Sequence, residues 1–245
     1  MSPNIILVDS VSILEQCLAD VSSTSVAQLA IDLEGIDLCR HGKISILQIF
    51  ADSSNTIWLI DITTLDSSAF DHMDEEGRCL RNVLQDSCAK KVFYDVRNDA
   101  DALYNLYAID VGNVYDLQLL EVAVRRASKH KVKYLSGLGK AIEASLCPPA
   151  HWKDIKQKGL ELFQPERGGS YEVFEKRPLD PVILAYCAQD VALLFRLEEV
   201  LEARLGGASR VWKEKISRHS ASRVAEAHSH EYAGKGQHRS IAPMF

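Results

Sequence analysis

The chain has 245 residues, of which 47% are hydrophobic and 25% charged, and its formal net charge is −6. A chain of this length can bury a substantial core, and it lacks an apolar run of the roughly 18 to 20 residues that span a membrane. It also begins without the basic and apolar regions of a secretory signal. Six scattered cysteines with no C-x-x-C pair favour neither disulfides nor a cysteine-based zinc site, so we expect an intracellular protein, of the cytoplasm or nucleus.

The charges are divided unevenly along the chain. Residues 206–245 carry seven Lys or Arg against three Asp or Glu, whereas the rest of the chain carries 21 against 31. An acidic body argues against a broad electrostatic surface for nucleic acid. It leaves room for a local one, because carboxylates gathered around metal ions count as negative when the metals are omitted.

In the first half of the chain, the predicted order of strands and helices changes near residue 75. The residues before this point begin with a β-rich stretch, followed by a helix predicted from a capping box at Ser12 to about Val21. Three strands are then predicted at 27–34, 44–51 and 56–62. Short connections between these strands favour antiparallel neighbours. After it, strands and helices alternate, with helices predicted at 75–86, 99–107 and 117–126 and strands at 91–96 and near 111–115. Such alternation indicates parallel crossovers, so the sequence predicts an α/β fold with a mixed sheet and helices on both faces.

The second half is predicted to be mostly helical. Residues 145–180 contain four of the seven prolines and are expected to form loops and short helices. Residues 181–205 give the clearest helix, with proline in its first turn and Gly206–Gly207 at its end. The basic residues 206–245 contain few aliphatic side chains, so we predict partial helix and then disorder. The predicted organisation is a domain at 1–205 followed by a tail at 206–245.

Two carboxylates end the first of the three strands. Asp32 and Glu34 lie two apart and therefore project from the same face, although this pattern at a strand end is common and indicates little alone. Asp190 lies in an apolar helix four residues after Tyr186, where an ionised carboxylate is costly unless it is paired or binds a metal. A core ion pair and a local hydrogen bond to the tyrosine are the alternatives at this stage.

Three further acids, Asp95, Asp99 and Asp101, lie where a strand turns into a helix. The carboxyl ends of strands are where ligands collect in α/β sheets. These residues are therefore additional candidates for the same site.

The stretches IDLEG (31–35), NDADAL (98–103) and YCAQD (186–190) resemble the three motifs of the DEDDy 3′–5′ exonucleases, in their RNase D-like branch. The longer context is most similar to the Egalitarian-type subgroup of "3′–5′ exonuclease domain" proteins, over about residues 4–204. The resemblance implies an RNase H-like fold with a mixed five-stranded sheet. It also implies five catalytic residues, of which all but the tyrosine are metal ligands: Asp32, Glu34, Asp99, Tyr186 and Asp190. Asp99 is assigned to the second motif because Leu103 follows it at the family's spacing.

The implied chemistry suits these side chains. Carboxylate oxygens favour Mg²⁺ or Mn²⁺, and two such ions about 3.5–4 Å apart activate a water and stabilise the leaving 3′ oxygen. A phenol titrates near 10, so Tyr186 is expected to orient the water and not to act as a strong base. The expected partner is single-stranded nucleic acid, with RNA favoured over DNA by analogy with the subgroup.

Two alternatives to this function stay open. One is a non-catalytic RNA-binding adaptor that keeps the exonuclease fold, and the presence of all five motif residues argues against it. The other is a nuclease of the integrase type, which the spacing of Tyr186 and Asp190 disfavours.

Several other polar residues have candidate roles. Arg40, Lys43 and Arg97 are candidate phosphate contacts. Asp116 is more readily interpreted as a helix N-cap than as support for the metal site. Trp152, among basic residues, is either a base-stacking side chain or a buried anchor.

Overall fold

A computed structural model describes residues 3–128, 131–206 and 209–244. Within these residues one sheet contains six strands in the order β1-β4-β3-β2-β5-β6. The strands are β1 (Asn4–Val8), β2 (Gln28–Glu34), β3 (Ile46–Ala51), β4 (Thr56–Asp61), β5 (Lys90–Phe93) and β6 (Val114–Asp116). The central strands β2, β3 and β4 are antiparallel neighbours, whereas β1, β5 and β6 each join the sheet in parallel. The predicted α/β class with a mixed sheet is confirmed.

The sheet has one strand more than the five we predicted, counted over the described residues. The additional strand is β1, which pairs with β4 at the edge of the sheet, Asn4 lying opposite Thr56. This pairing joins segments about fifty residues apart, and nothing in the local pattern of β1 indicates it.

Helices cover both faces of the sheet. They are α1 (Val11–Val21), α2 (Ile62–Leu65), α3 (Ser68–Asp71), α4 (Leu80–Gln85), α5 (Arg97–Tyr107), α6 (Leu117–Ala127), α7 (Leu138–Leu146), α8 (Ala150–Phe163), α9 (Pro181–Ala192), α10 (Leu194–Leu205) and α11 (Ser209–Ala225). No helix within the described ranges is long and apolar enough to cross a membrane. The segment predicted as one helix at 75–86 contains only the six residues of α4.

Side-chain alternation along β2 connects the sheet to two separate cores. Leu29, Ile31 and Leu33 pack into a core that includes side chains of α1 and α5. Ala30, on the opposite face, packs into a core that includes side chains of α6 and α9. Because successive residues of a strand face opposite sides, Asp32 and Glu34 share the α9 side of the sheet.

The predicted helix at 181–205 is two helices. Asp180 caps α9 by accepting a hydrogen bond from the Val182 N–H at 2.7 Å, and Pro181 occupies the first turn, as the sequence indicates. The helix then breaks at Leu193, and α10 begins at the next residue. Helix α9 packs on the sheet and on α8, whereas α10 packs mainly against α6 and α7. The sequence is apolar on both sides of the break, so its periodicity does not reveal where the helix changes partners.

The proline-containing stretch 145–180 includes a longer helix than we predicted. Helix α8 has 14 residues and begins directly after Pro149, which serves as its N-cap residue. Gly159, near its middle, weakens the sequence signal for a helix. Its backbone lies so close to the Tyr186 ring that a Cβ atom at this position would collide with the ring.

The partial helix predicted for the tail is α11, which is longer and more closely packed than the composition indicates. Helix α11 (Ser209–Ala225) packs against β6, with Ile216, Ser220 and Arg223 buried. The Ser220 hydroxyl accepts a hydrogen bond from the Asp116 N–H on the edge strand at 3.0 Å, and Arg223 Nη1 donates to Asp116 Oδ2 at 2.6 Å. Polar side chains supply much of the contact between the tail and the sheet. A segment with few aliphatic residues can therefore pack here, which composition alone does not reveal. Gly207, where the preceding helix was predicted to end, lies outside the described residues.

Candidate active site

Strand β2 and helix α9 bring three carboxylates together. Asp32 and Glu34 project from the carboxyl half of β2 towards the face on which α9 packs, and Asp190 comes from the last turn of α9. Each of the three offers an oxygen, and these oxygens lie within 4.8 Å of one another. Asp190 is 3% exposed, whereas Asp32 and Glu34 are half-buried. The cluster therefore opens towards solvent on the strand side.

Asp99 lies in the first turn of α5, beyond the carboxyl end of β5, and is buried. It is not one of the three clustered carboxylates. Burial, followed by the charge of Asp32 and then that of Asp95, raises the pKa of Asp99 well above its usual range. Within residues 3–128, 131–206 and 209–244, its side chain has no hydrogen-bond or ion-pair partner.

The two neighbouring acids of this segment differ from Asp99 in being neutralised. Asp95 accepts hydrogen bonds from Arg97 Nε at 2.5 Å and Arg97 Nη2 at 2.6 Å. Asp101 accepts from Arg40 Nη2 at 2.6 Å and from the Arg40 backbone N–H at 2.7 Å. Both carboxylates are thus committed to structural ion pairs.

Burial and mutual repulsion together raise the pKa values of the clustered acids, and burial has the larger effect. Burial, followed by the charge of Asp190, raises the pKa of Asp32 to about 8, although Lys156 opposes this shift. Burial and the charge of Asp32 likewise raise the pKa of Glu34 well above its usual range. Like charges in this setting favour protonation unless a cation compensates them. The donor set consists of carboxylate oxygens, which fits a hard divalent ion such as Mg²⁺ or Mn²⁺.

Tyr186 is fixed against α8 and the cluster. Its ring is 4% exposed and packs edge-on against Phe163, with 5.2 Å between ring centroids. Burial, followed by the charge of Asp190, raises the pKa of Tyr186 well above its usual range. The phenol therefore keeps its proton at neutral pH, which agrees with a hydrogen-bonding role and not with that of a base.

Sequence reasoning missed the importance of Lys156. Its Nζ donates to both oxygens of Asp190, each at 2.7 Å, and to Tyr186 Oη at 3.1 Å. In the sequence it is one of several basic residues near Trp152. Once α8 is recognised as a helix, Trp152, Lys156, Gly159 and Phe163 fall on one face, and a lysine on a buried face is the signal that would have identified it.

The remaining predicted residues are placed as follows. Arg40 and Arg97 are largely buried and bind Asp101 and Asp95, whereas the Lys43 side chain is 66% exposed. Lys43 is the most exposed of the three, with its Nζ 3.4 Å from Glu175 Oε2, and phosphate contact stays a prediction for it.

Two other side chains with alternative roles now have defined contacts. Asp116 accepts a hydrogen bond from the Gln118 N–H at 3.0 Å and is the N-cap of α6, as predicted. Trp152 is 5% exposed and belongs to the α9-side core, so it is a buried anchor and its ring faces are not free to stack a base.

Comparison with known proteins identifies the family of the chain. Residues 5–206 match the sequence profile of a family described as 3′–5′ exonuclease. The chain is 30% identical over 173 residues to the mouse protein named piRNA biogenesis protein EXD1, and likewise to its human counterpart. Each match covers 71% of this chain but only 29% of the mouse protein and 32% of the human one.

Solved structures share the fold. RNase D of Trypanosoma brucei, in a complex with RNA U12, superimposes with a TM-score of 0.77 at 20% identity, covering 99% of this chain and 77% of that one. NrnC of Brucella melitensis, with bound Mg²⁺, superimposes with a TM-score of 0.62 at 19% identity, covering 96% of this chain and all of that one.

Proposed function

Because the chain belongs to the 3′–5′ exonuclease family, we propose that it removes nucleotides from the 3′ end of single-stranded nucleic acid by metal-dependent hydrolysis. The observation that carries the proposal is the cluster of Asp32, Glu34 and Asp190 oxygens within 4.8 Å, at the carboxyl end of a buried strand. RNA is the favoured substrate, since the RNase D with the same fold was solved with RNA bound.

We assign the clustered carboxylates and Asp99 as ligands of two ions, Mg²⁺ or Mn²⁺. Bound at this site, the ions would supply Lewis acidity towards the phosphate and the attacking water. Asp32 and Glu34 face the open side of the cluster, where a substrate phosphate can approach. Asp190 closes the cluster from α9, and the carboxyl of Asp99, which has no partner within the described part of the chain, is available from α5.

Tyr186 is assigned to positioning the water. Its protonated hydroxyl lies beside Asp190, and its ring is held by Phe163, so the hydroxyl has a fixed direction. A fixed hydrogen bond of this kind lowers the cost of aligning the nucleophile.

The test is incubation of the protein with 5′-labelled single-stranded RNA and DNA of one sequence, in Mg²⁺ or Mn²⁺, with 3′-hydroxyl and 3′-phosphate ends compared. We expect stepwise shortening of RNA from its free 3′-hydroxyl end and protection by the 3′-phosphate. The matched control is the Asp32→Asn/Glu34→Gln protein, which has the same shape but cannot hold the ions.

Each outcome discriminates between functions. Equal cleavage of the blocked substrate would indicate an endonuclease. Tight binding of RNA without cleavage in either metal would favour the adaptor function, and faster shortening of DNA would overturn the RNA preference.

A further inference from the structure

Lys156 gives the acidic cluster a cation that belongs to the protein itself. Its Nζ contacts both Asp190 oxygens at 2.7 Å and lies 4.2 Å from the centroid of the Tyr186 ring. An ammonium has three N–H donors, and its partners here are the two Asp190 oxygens and the Tyr186 hydroxyl. The lysine charge is thus directed entirely into the site.

The position of this ammonium is set by helix packing and not by a flexible surface chain. Gly159 allows α8 to approach the Tyr186 ring more closely than any residue with a Cβ would permit. Trp152 and Phe163 bury the same face of α8 in the α9-side core. Lys156 lies between these contacts, and its side chain is only 16% exposed.

We propose that Lys156 is an internal counter-cation that competes with a divalent ion for Asp190 and gives up that carboxylate when the ion binds. With both Asp190 oxygens bonded to the ammonium, an incoming ion gains this ligand only by displacing at least one of those bonds. The consequence for catalysis rests on the proposed function. The competition itself is a property of the protein that metal binding alone reports.

The ammonium stabilises the acidic cluster when little divalent metal is available. Three carboxylates within 4.8 Å repel one another, and a resident cation offsets part of this repulsion. The cost is a weaker apparent affinity for the ion, because the ammonium must first withdraw. The lysine therefore raises the metal concentration at which the site fills.

The experiment is calorimetric titration of Mn²⁺ into the chelator-treated full chain, comparing wild type with Lys156→Met. Methionine keeps a long unbranched side chain and removes the charge. We expect Mn²⁺ to bind on the order of tenfold more tightly to Lys156→Met, since the ion no longer has to displace a charged hydrogen bond from Asp190. Lys153→Met is the matched control, because Lys153 lies on the exposed face of the same helix and the net charge changes equally. It should leave the affinity unchanged.

A double-mutant cycle separates direct competition from a general field effect. In an Asp190→Asn background, Lys156→Met should change Mn²⁺ affinity by less than about twofold, because the contested carboxylate is gone. Persistence of the full effect there would overturn the competition, as would unchanged or weaker binding by the single variant. Thermal unfolding with chelator and with saturating Mn²⁺ provides a second measurement. If Lys156→Met unfolds without metal, Lys156→Gln carries the same test with a donor group retained.

The two proposals fail in different ways. A wild-type protein that binds Mn²⁺ but cleaves neither RNA nor DNA would remove the exonuclease function and leave the competition standing. Unchanged Mn²⁺ affinity of Lys156→Met in an active nuclease would remove the competition alone.

Discussion

Among the residues that the structure describes, no cation pairs with Asp99, whereas Asp95 and Asp101 each bind an arginine. This difference predicts different effects of removing each charge. Asp99→Asn should lower the cleavage rate by about 10²–10³ and should not destabilise the fold, since it removes a buried charge repelled by its neighbours. Asp101→Asn should leave Arg40 buried without its partner and lower the free energy of unfolding by about 3–5 kcal/mol. Single-turnover cleavage and denaturant unfolding of both variants measure the two effects. A stable but inactive Asp95→Asn protein would show that the second motif is assigned to the wrong residue.

The hydroxyl of Tyr186 is the second side-chain group whose removal is informative. Tyr186→Phe keeps the ring against Phe163 and all four carboxylates, so Mn²⁺ and RNA should still bind. Loss of one hydrogen bond that positions the nucleophile should slow cleavage by about 10²–10³. Calorimetry beside single-turnover kinetics checks both parts, and cleavage at the wild-type rate would remove the tyrosine from the mechanism.

The raised carboxyl pKa values make the stability of the metal-free protein depend on pH. The pKa of Asp32 is about 8 in the folded chain, against about 3.9 for an unfolded aspartate. Between these values the folded chain binds more protons than the unfolded chain, so the free energy of unfolding should fall as pH rises through this window. Denaturant unfolding in chelator at pH 5.5, 7 and 8.5 tests this, and Asp32→Asn should show a shallower dependence. Stability that rises across the window would contradict the electrostatics of the cluster.

Helix α8 determines where Tyr186 and Lys156 lie, and Gly159 is its point of closest approach. Gly159→Ala should destabilise the fold by about 1–3 kcal/mol, because the added methyl group collides with the Tyr186 ring. Cleavage should fall as well, since the ring must shift. Gly139→Ala in α7 is the control: its Cβ would lie 3.9 Å from the Lys156 Cε, so it should be neutral or stabilising by up to about 1 kcal/mol. Thermal unfolding of both proteins distinguishes the two glycines, and equal stability would show that α8 adapts freely.

Elements with a strong local pattern were predicted from the sequence, whereas those that depend on distant partners were not. The strands β2, β3 and β4 and the helices α1 and α6 lie within two residues of their predicted bounds, because apolar periodicity and capping are local signals. Helix α8 was underestimated because Pro148, Pro149 and Gly159 read as breakers. Gly159 is required by the close approach of Tyr186, which lies 27 positions later and so beyond any local sequence pattern.

The same distinction applies to the candidate site. Strand alternation indicates that Asp32 and Glu34 share a face, and the helical interval indicates that Tyr186 and Asp190 do. That these two pairs meet, that Asp99 is unpaired among the described residues, and that Lys156 enters from a third element all depend on how the layers pack. The sequence supplies the candidates and the packing selects among them.

At the scale of the whole molecule, α11 attaches the C-terminal segment to the edge of the sheet through a buried ion pair. Arg223→Met should lower the free energy of unfolding by about 3–5 kcal/mol, because Asp116 keeps its backbone N–H donors but loses the buried arginine that balances its charge. Arg210→Met, at a side chain that is 93% exposed, loses the same charge and should change stability by no more than about 0.5 kcal/mol. Equal, small effects in denaturant unfolding would mean that the tail is only loosely associated.

The ion pair between Arg223 and Asp116 also affects how the protein folds while it is being synthesised. The two residues are 107 positions apart, so the ribosome completes β6 long before it reaches the arginine. At a synthesis rate of about 5–20 residues per second, roughly 5–20 s pass between the synthesis of β6 and that of Arg223. The Ser220 hydroxyl, which accepts a hydrogen bond from the Asp116 N–H, is also missing until then. During that interval the nascent chain presents an open strand edge and an unpaired carboxylate, a form that invites chaperone binding or aggregation. Native folding is therefore expected to finish only after α11 has emerged, whatever the state of the residues that form the site.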